Sequence, residues 1–172
     1  MPKSKRVRDV MVDVFEFPHI PHWFTIKQAI GIIKKSFIET DKCIFPQVVI
    51  VFDEKYNLMG TFTPRDIIKG LESRLKPVSI KDADIAYIDE NAMATFEASM
   101  FAEESKKMAE KPVSEIMIPA KTFVSPEDSV VKAAFLMVHH DLVVLPVLEN
   151  KKLVGLVRMI EVFDELSNTV LE

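Results

Sequence analysis

The chain has 172 residues, 48% of them hydrophobic and 28% charged, with a formal net charge of −4 at pH 7. That is the composition of a folded globular protein, and its sign excludes the usual nucleic-acid binder: Lys3, Lys5, Arg6 and Arg8 make the start basic, but no aromatic residue is interleaved with them. Cys43 is the single cysteine, so an intrachain disulfide is excluded; no apolar run approaches the ~20 residues that span a bilayer, and the start lacks a signal-peptide core, so a cytoplasmic protein with no membrane partner is expected.

In chain order, Val7-Arg8-Asp9-Val10-Met11-Val12 leads into a short extended stretch near Val10 to Val14. Ile26, Ala29, Ile30, Ile33 and Phe37 then share one helical face, and Val48 to Phe52 reads as a buried strand. Asp53 to Asn57 is a turn, and Leu58 to Phe62 is the returning strand with Gly60 inside it. Thr63-Pro64-Arg65-Asp66 opens a helix whose apolar face carries Ile67, Ile68, Leu71 and Leu75.

From about Asp82 to Glu110, Ile85, Ile88, Ala92, Met93, Phe96, Met100 and Met108 are scattered among Ala, Glu and Lys, which predicts a largely helical segment. It serves as a connector packed on the core or, alternatively, as a lid or dimer contact. Beyond it, Val113-Ser114-Glu115-Ile116-Met117-Ile118 precedes an extended stretch near Lys121 to Val124. Ser125-Pro126-Glu127-Asp128 opens a helix with Val130, Ala133, Ala134 and Met137 on one face. Leu142 to Leu148 and Leu153 to Val157 are strands joined by the Glu149 to Lys152 turn, and a closing helix shows Val162, Phe163, Leu166 and Val170 at helical spacing.

The second half repeats the first in order. Val7 to Val12 answers Val113 to Ile118, Thr25-Ile26-Lys27-Gln28-Ala29 answers Ser129-Val130-Val131-Lys132-Ala133, and Leu58 to Ile67 answers Leu153 to Val162 with Gly60 and Gly155 in register. The expected organisation is a unit over 1–80, a mostly helical connector over 81–111 and a second unit over 112–172.

The repeated unit, with Gly60-Thr61-Phe62-Thr63-Pro64-Arg65-Asp66 after its second strand and Val7-Arg8-Asp9-Val10-Met11 at its opening, resembles the cystathionine-β-synthase (CBS) domain family. The resemblance covers both units. It implies an α/β fold in which two pseudo-twofold-related β-α-β-β-α units pack through their sheets as a tandem pair, or Bateman module, with the central helical insertion between them. It further implies a homodimer and a regulatory role: an adenosine-containing ligand such as AMP, ADP, ATP or S-adenosylmethionine binds in a cleft between the units, and a protein partner of unknown identity senses the change. A ligand-free interaction or dimerisation module and, less favoured, a divalent-metal sensor are the alternatives.

Independently of any family, Thr63 at the N-cap with Asp66 three positions on makes a capping box, and Pro64 suits the first helical position. The same geometry serves a ligand, because a helix opening offers free N–H groups to phosphate and a carboxylate accepts hydrogen bonds from ribose hydroxyls. Arg65 in that first turn is unfavourable with the helix dipole unless an anion is close. The second unit substitutes Arg158 for Thr63 and Glu161 for Asp66; arginine cannot cap but can hold a phosphate, and Glu161 either reaches a ribose or satisfies the backbone. Val12, Phe15, Phe123 and Val124 are candidates for an adenine slot, with core packing as the alternative.

His19 and His22 lie on a proline-punctuated loop, and the adjacent His139 and His140 point in different directions at a helix end, so metal binding is not expected and a phosphate contact from His140 is preferred. There is no glycine-rich phosphate loop and no evident base for Cys43, and the chain has only 4 glycines. No catalytic residue or catalytic cofactor is assigned, and the protein is not expected to be an enzyme.

Overall fold

The computed structural model describes residues 5–39, 48–72, 94, 97–98 and 103–171, so Cys43, Leu75 and most of the central segment 81–111 lie outside the described residues. Among these, the elements in chain order are α1 (Val7–Val10), β1 (Val12–Asp13), a 3-10 turn (Val14–Glu16), β2 (His19–Pro21), α2 (Ile26–Glu39), β3 (Val49–Phe52) and β4 (Leu58–Phe62). There follow α3 (Pro64–Glu72), α4 (Glu103–Ala109), a second 3-10 turn (Val113–Glu115), β5 (Ile118–Pro119), α5 (Val130–His139), β6 (Val144–Glu149), β7 (Lys152–Arg158) and α6 (Met159–Leu171). The chain divides into two compact units, His19–Ile118 and Met1–Pro18 with Pro119–Glu172. Each unit therefore takes the body of one repeat and the opening segment of the other.

In the unit His19–Ile118 the sheet order is β2-β3-β4-β5. β2 runs parallel to β3 with Ile20 against Val51, and β3 is antiparallel to β4 with Val51 against Gly60. All four residues of β3 are buried, as a continuous β-branched and aromatic run requires. Ile26, Ala29 and Ile33 of α2 pack on it together with Phe62, Ile67, Met108, Val113 and Ile116. The helix is started by a capping box, in which Thr25 N–H donates to Gln28 Oε1 at 2.9 Å and Gln28 N–H donates to Thr25 Oγ1 at 3.1 Å. The β3–β4 turn is tied by Asp53, whose carboxylate accepts from the Asn57 side chain and from the N–H groups of Asn57 and Lys55; these bonds hold its pKa below the usual carboxylate range.

The other unit has sheet order β1-β7-β6. Its hairpin turns at Asn150 and Lys151, both with positive φ (50° and 65°), which fits a tight right-twisting connection. Pro146 lies in β6 opposite Leu156 of β7, and its carbonyl accepts from Val124 N–H at 3.0 Å. Val7, Val124, Val130, Ala133, Met137, Leu145, Val147, Val157 and Val162 form the core.

Within each unit the exchanged opening segment meets the start of the helix along a seam of bonds at corresponding places. Ile26 N–H donates to Lys111 O and Val113 N–H to Phe24 O, each at 2.8 Å; Val130 N–H donates to Lys5 O at 3.0 Å and Val7 N–H to Asp128 O at 2.8 Å. The basic start of the chain is part of this seam, because Lys5 pairs with Glu165 at 2.6 Å and Arg6 and Arg8 pair with Glu127.

The helix expected to open at Ser125 begins instead at Val130, with Ser129 as its N-cap: Ser129 Oγ accepts from Lys132 N–H at 3.1 Å. Ser125 to Asp128 is a turn of its own, closed by Ser125 N–H donating to Asp128 Oδ2 at 2.9 Å and Asp128 N–H donating to Ser125 O at 3.0 Å. Two candidate caps lay four residues apart, and the nearer one to the apolar run won. The closing helix turns Val162 inward, whereas Phe163 is 64% exposed and Val170 is 83% exposed.

The glycines in register now have a physical role. A Cβ on Gly155 would sit 2.5 Å from Val12 O, and one on Gly60 would collide with Ile118 O; Gly31, by contrast, has nothing within 4 Å. Gly155→Ala is expected to lower stability by about 1–3 kcal/mol, since backbone must shift to admit the methyl group. Gly31→Ala on α2 should be neutral or stabilise by up to ~1 kcal/mol, and urea unfolding of both variants checks the contrast. Asp128 supplies a pH dependence. Burial disfavours its charge, but hydrogen bonds from Lys132 and Ser125 outweigh this and leave its pKa lowered. A folded pKa below the unfolded one stabilises at neutral pH and is lost as pH falls through the folded value. Asp128→Asn should therefore cost about 0.5–1 kcal/mol at pH 7, and its difference from wild type should vanish as pH falls through the lowered folded value in the same assay.

Candidate functional site

Both strands that follow a glycine deliver a helix opening. In the unit His19–Ile118, β4 ends at Phe62, and Thr63 precedes α3 with its side chain buried. Thr63 N–H donates to Asp66 Oδ2 at 2.8 Å, and its hydroxyl donates to the same oxygen at 2.9 Å. Only half of the expected capping box is formed: Asp66 caps the backbone, but the threonine hydroxyl serves the carboxylate rather than the helix. One oxygen thus takes both bonds, and Asp66 Oδ1 has no partner among the described residues. Arg65 is exposed in the same turn and makes no ion pair among the described residues. Pro64 has no N–H and the Asp66 and Ile67 N–H groups donate to Thr63 O, so the Arg65 N–H, an acceptor oxygen and the Arg65 cation are what this turn offers a diol and an anion.

In the other unit, β7 ends at Arg158 and α6 begins at Met159. Arg158 is 5% exposed. Its N–H donates to Glu161 Oε2 at 2.9 Å, so glutamate takes over the backbone-capping role of Asp66. The guanidinium folds over the same carboxylate: Nε lies 2.9 Å from Oε1 and 3.0 Å from Oε2, and Nη2 donates to Oε1. The Phe17 ring covers it with its centroid 5.9 Å from Cζ. Nη1 is closed off from solvent and has no hydrogen-bond partner. Phe17 escaped sequence reasoning because it arrives with the exchanged opening segment, 141 residues away in a pattern that carries no local signal.

The apolar candidates divide. Val12 pairs with Leu156 in β1–β7 and is half-buried, while Val124 lies in the core beside Val147. Phe15 is 85% exposed and Phe123 is 53% exposed. His140 caps the C-terminus of α5, exposed and edge-on to His139 at 5.1 Å. His19 Nδ1 lies 3.1 Å from Tyr56 Oη, and His22 Nε2 lies 3.0 Å from Glu54 Oε1, a contact that lowers the Glu54 pKa. Among the described residues no group of three His, Cys, Asp or Glu is placed to hold a metal, and no helix is long and apolar enough to cross a membrane.

Comparison with known proteins follows this geometry. Residues 113–168 match the CBS domain family model. No curated protein sequence matches the chain. Among solved structures, CBSX2 from Arabidopsis thaliana superposes with a TM-score of 0.63 at 15% identity, covering 99% of each chain. CBSX2 in complex with AMP gives a TM-score of 0.62 at 19% identity, over 95% of this chain and 97% of that one. The cytosolic domain of the Mg2+ channel MgtE in complex with ATP gives 0.57 at 22% identity, over 93% of this chain but 48% of that one. These identities speak for a shared fold. Residues 113–168 are similar to CBS domains, and the chain as a whole has the fold of the CBS-pair proteins.

Proposed function

We propose that this protein is a regulatory module that binds an adenosine-containing nucleotide at the opening of α3 and reports its presence to a protein partner. The observation that carries the reading is the free Oδ1 of Asp66, an acceptor held in place by the two bonds to Oδ2 and set in the first turn of a helix beside an exposed arginine. A ribose hydroxyl donates to Oδ1, and Arg65, through its guanidinium and its N–H, meets the phosphate. The AMP and ATP bound to structures of the same fold support a nucleotide of this class. Regulation follows from differential affinity: the ligand shifts the protein toward whichever conformation it binds more tightly, and by no more than that difference.

The same reading includes a cytoplasmic homodimer. α5 exposes Val131, Phe135 and Val138, and α6 exposes Ile160, Phe163 and Val170, two stripes at helical spacing within one unit. A second copy offers the matching apolar stripes, and burying them on each other removes a patch that water penalises. A dimerisation module without a ligand would use this face alone.

Thermal unfolding against AMP, ADP, ATP and S-adenosylmethionine tests the ligand. At one hundred times the dissociation constant the bound nucleotide should add about 2.7 kcal/mol, visible as a raised midpoint. Asp66→Ala should abolish that rise while costing the unliganded protein only about 1 kcal/mol, the worth of a cap. A rise with none of the four would favour the ligand-free module. For the dimer, sedimentation of wild type should give twice the chain mass, and Phe163→Glu should return it to the mass of one chain; a wild-type monomer at micromolar concentration would refute the interface.

A further inference from the structure

The exposed face of α5 is apolar along most of its length and ends in an imidazole. Val131 and Phe135 lie four residues apart and His139 follows after four more, so three exposed side chains stand on one side of the helix, flanked by Val138. The His139 ring lies flat on Phe135, with centroids 5.5 Å apart and planes 7° from parallel. His140 is edge-on to His139 at 5.1 Å, and the helical step of about 100° carries its side chain off the stripe. His139 thus extends the hydrophobic stripe and is the one side chain in it able to gain a charge between pH 5 and 8.

We infer that His139 is a pH sensor for self-association: neutral, it is buried with Phe135 against a second copy, and protonated, it drives the two copies apart. The inference rests on the homodimer proposed above and adds the regulation of that interface. In a twofold contact each stripe meets its own copy, so His139 enters twice. A neutral imidazole stacked on a phenyl ring is an aromatic contact and suits a dry interface. An imidazolium does not, because taking an ion out of water costs free energy that only a partner charge offsets. The negative end of the α5 dipole and the face of Phe135 both favour the charged form, but they act alike in the free and the associated chain. What differs between the two states is hydration, which favours the proton in the free chain, so proton uptake opposes association.

The sign depends on the acids within reach, and these are engaged elsewhere. The elements packed on α5 are α1, α6 and β6. On α6, Glu161 closes on Arg158, Glu165 pairs with Lys5, and Asp164 stands in the field of the same lysine. On α1, Arg8 pairs with Glu127, and Asp9 accepts from the Arg6 N–H at 2.9 Å. Glu149 ends β6, at the opposite end from Val144, where the chain enters the strand from α5. On α5 itself Lys132 pairs with Asp128 at 2.8 Å, two turns before His139. Asp141 and His140 are exposed and accompany His139 in both states. His139 makes no ion pair among the described residues.

Sedimentation of the full chain over a series of concentrations at about pH 8 and about pH 5.5 tests the sensor, with circular dichroism at both values to follow folding. Wild type should dimerise at the higher pH, with a dissociation constant that rises at least about tenfold at the lower one while the dichroism stays unchanged. His139→Gln should dimerise alike at both, and His140→Gln should keep the wild-type response. A wild-type dissociation constant that is unchanged or falls at the lower pH overturns the sensor and leaves the dimer standing. So does a full response retained in His139→Gln. Should that variant fail to fold, His139→Phe decides: it should associate at least as tightly as wild type with no pH dependence, and a response in it overturns the inference. A wild-type monomer at the higher pH sinks the dimer itself, and the sensor with it.

Discussion

The close approach of a foreign backbone to a glycine is the constraint on which both units depend. Val12 O stands where a side chain at Gly155 would project, and Ile118 O does the same at Gly60. Each is the opening segment of one repeat laid against the returning strand of the other, and only a residue without Cβ lets the strand pair at that distance. Once the segment is seated, its N–H and C=O groups meet the start of the first helix through the paired Lys5–Val130 and Lys111–Ile26 bonds. A buried backbone left without these partners would cost more than the local hydrophobic gain repays. Duplication therefore gives more than two copies of one unit: neither copy is complete with its own residues.

The helix openings show how much chemistry a conserved geometry permits. In both, the residue three positions into the turn returns its carboxylate to the N-cap N–H, at 2.8 Å for Asp66 and 2.9 Å for Glu161. The difference begins at the N-cap itself. A threonine hydroxyl adds one bond to Oδ2 and stops, whereas a guanidinium adds three and consumes the whole carboxylate. Glutamate's extra methylene is what lets the fork close, since the shorter aspartate would not reach both Nε and Nη2 while still capping the backbone. Replacing Thr and Asp together by Arg and Glu thus preserves the cap and inverts the free group from acceptor to donor.

What could be read from the sequence was local and periodic. The buried run Val49 to Phe52, the turn at Asn150-Lys151, the bond of Asp66 back to the Thr63 N–H and the register of Gly60 with Gly155 all follow from propensity and spacing within a few residues. What could not be read was set by partners distant in the chain. Alternation alone does not say that Val124 turns into the core while Phe123 faces out; the bridge to Val147 decides it. Helical spacing groups Val162 with Phe163, yet only Val162 meets the core, because the sheet that α6 packs against fixes which 100° of the helix is inside. Arg158 was legible as a cation at a helix opening, but its closure on Glu161 and its cover by Phe17 depend on rotamers and on the exchanged segment.

β7 joins these two themes in a single strand. Gly155 admits the opening segment, and three residues later Arg158 holds the start of α6. The two residues lie about 10 Å apart in one strand, and both pair with β6, Gly155 opposite Val147 and Arg158 opposite Val144. The opening segment is short, with two strand residues and one 3-10 turn, and Phe17 at its end is the ring that lies on the guanidinium. Phe17 thus joins the opening segment to the start of α6, so a displacement of either is resisted by the same contact.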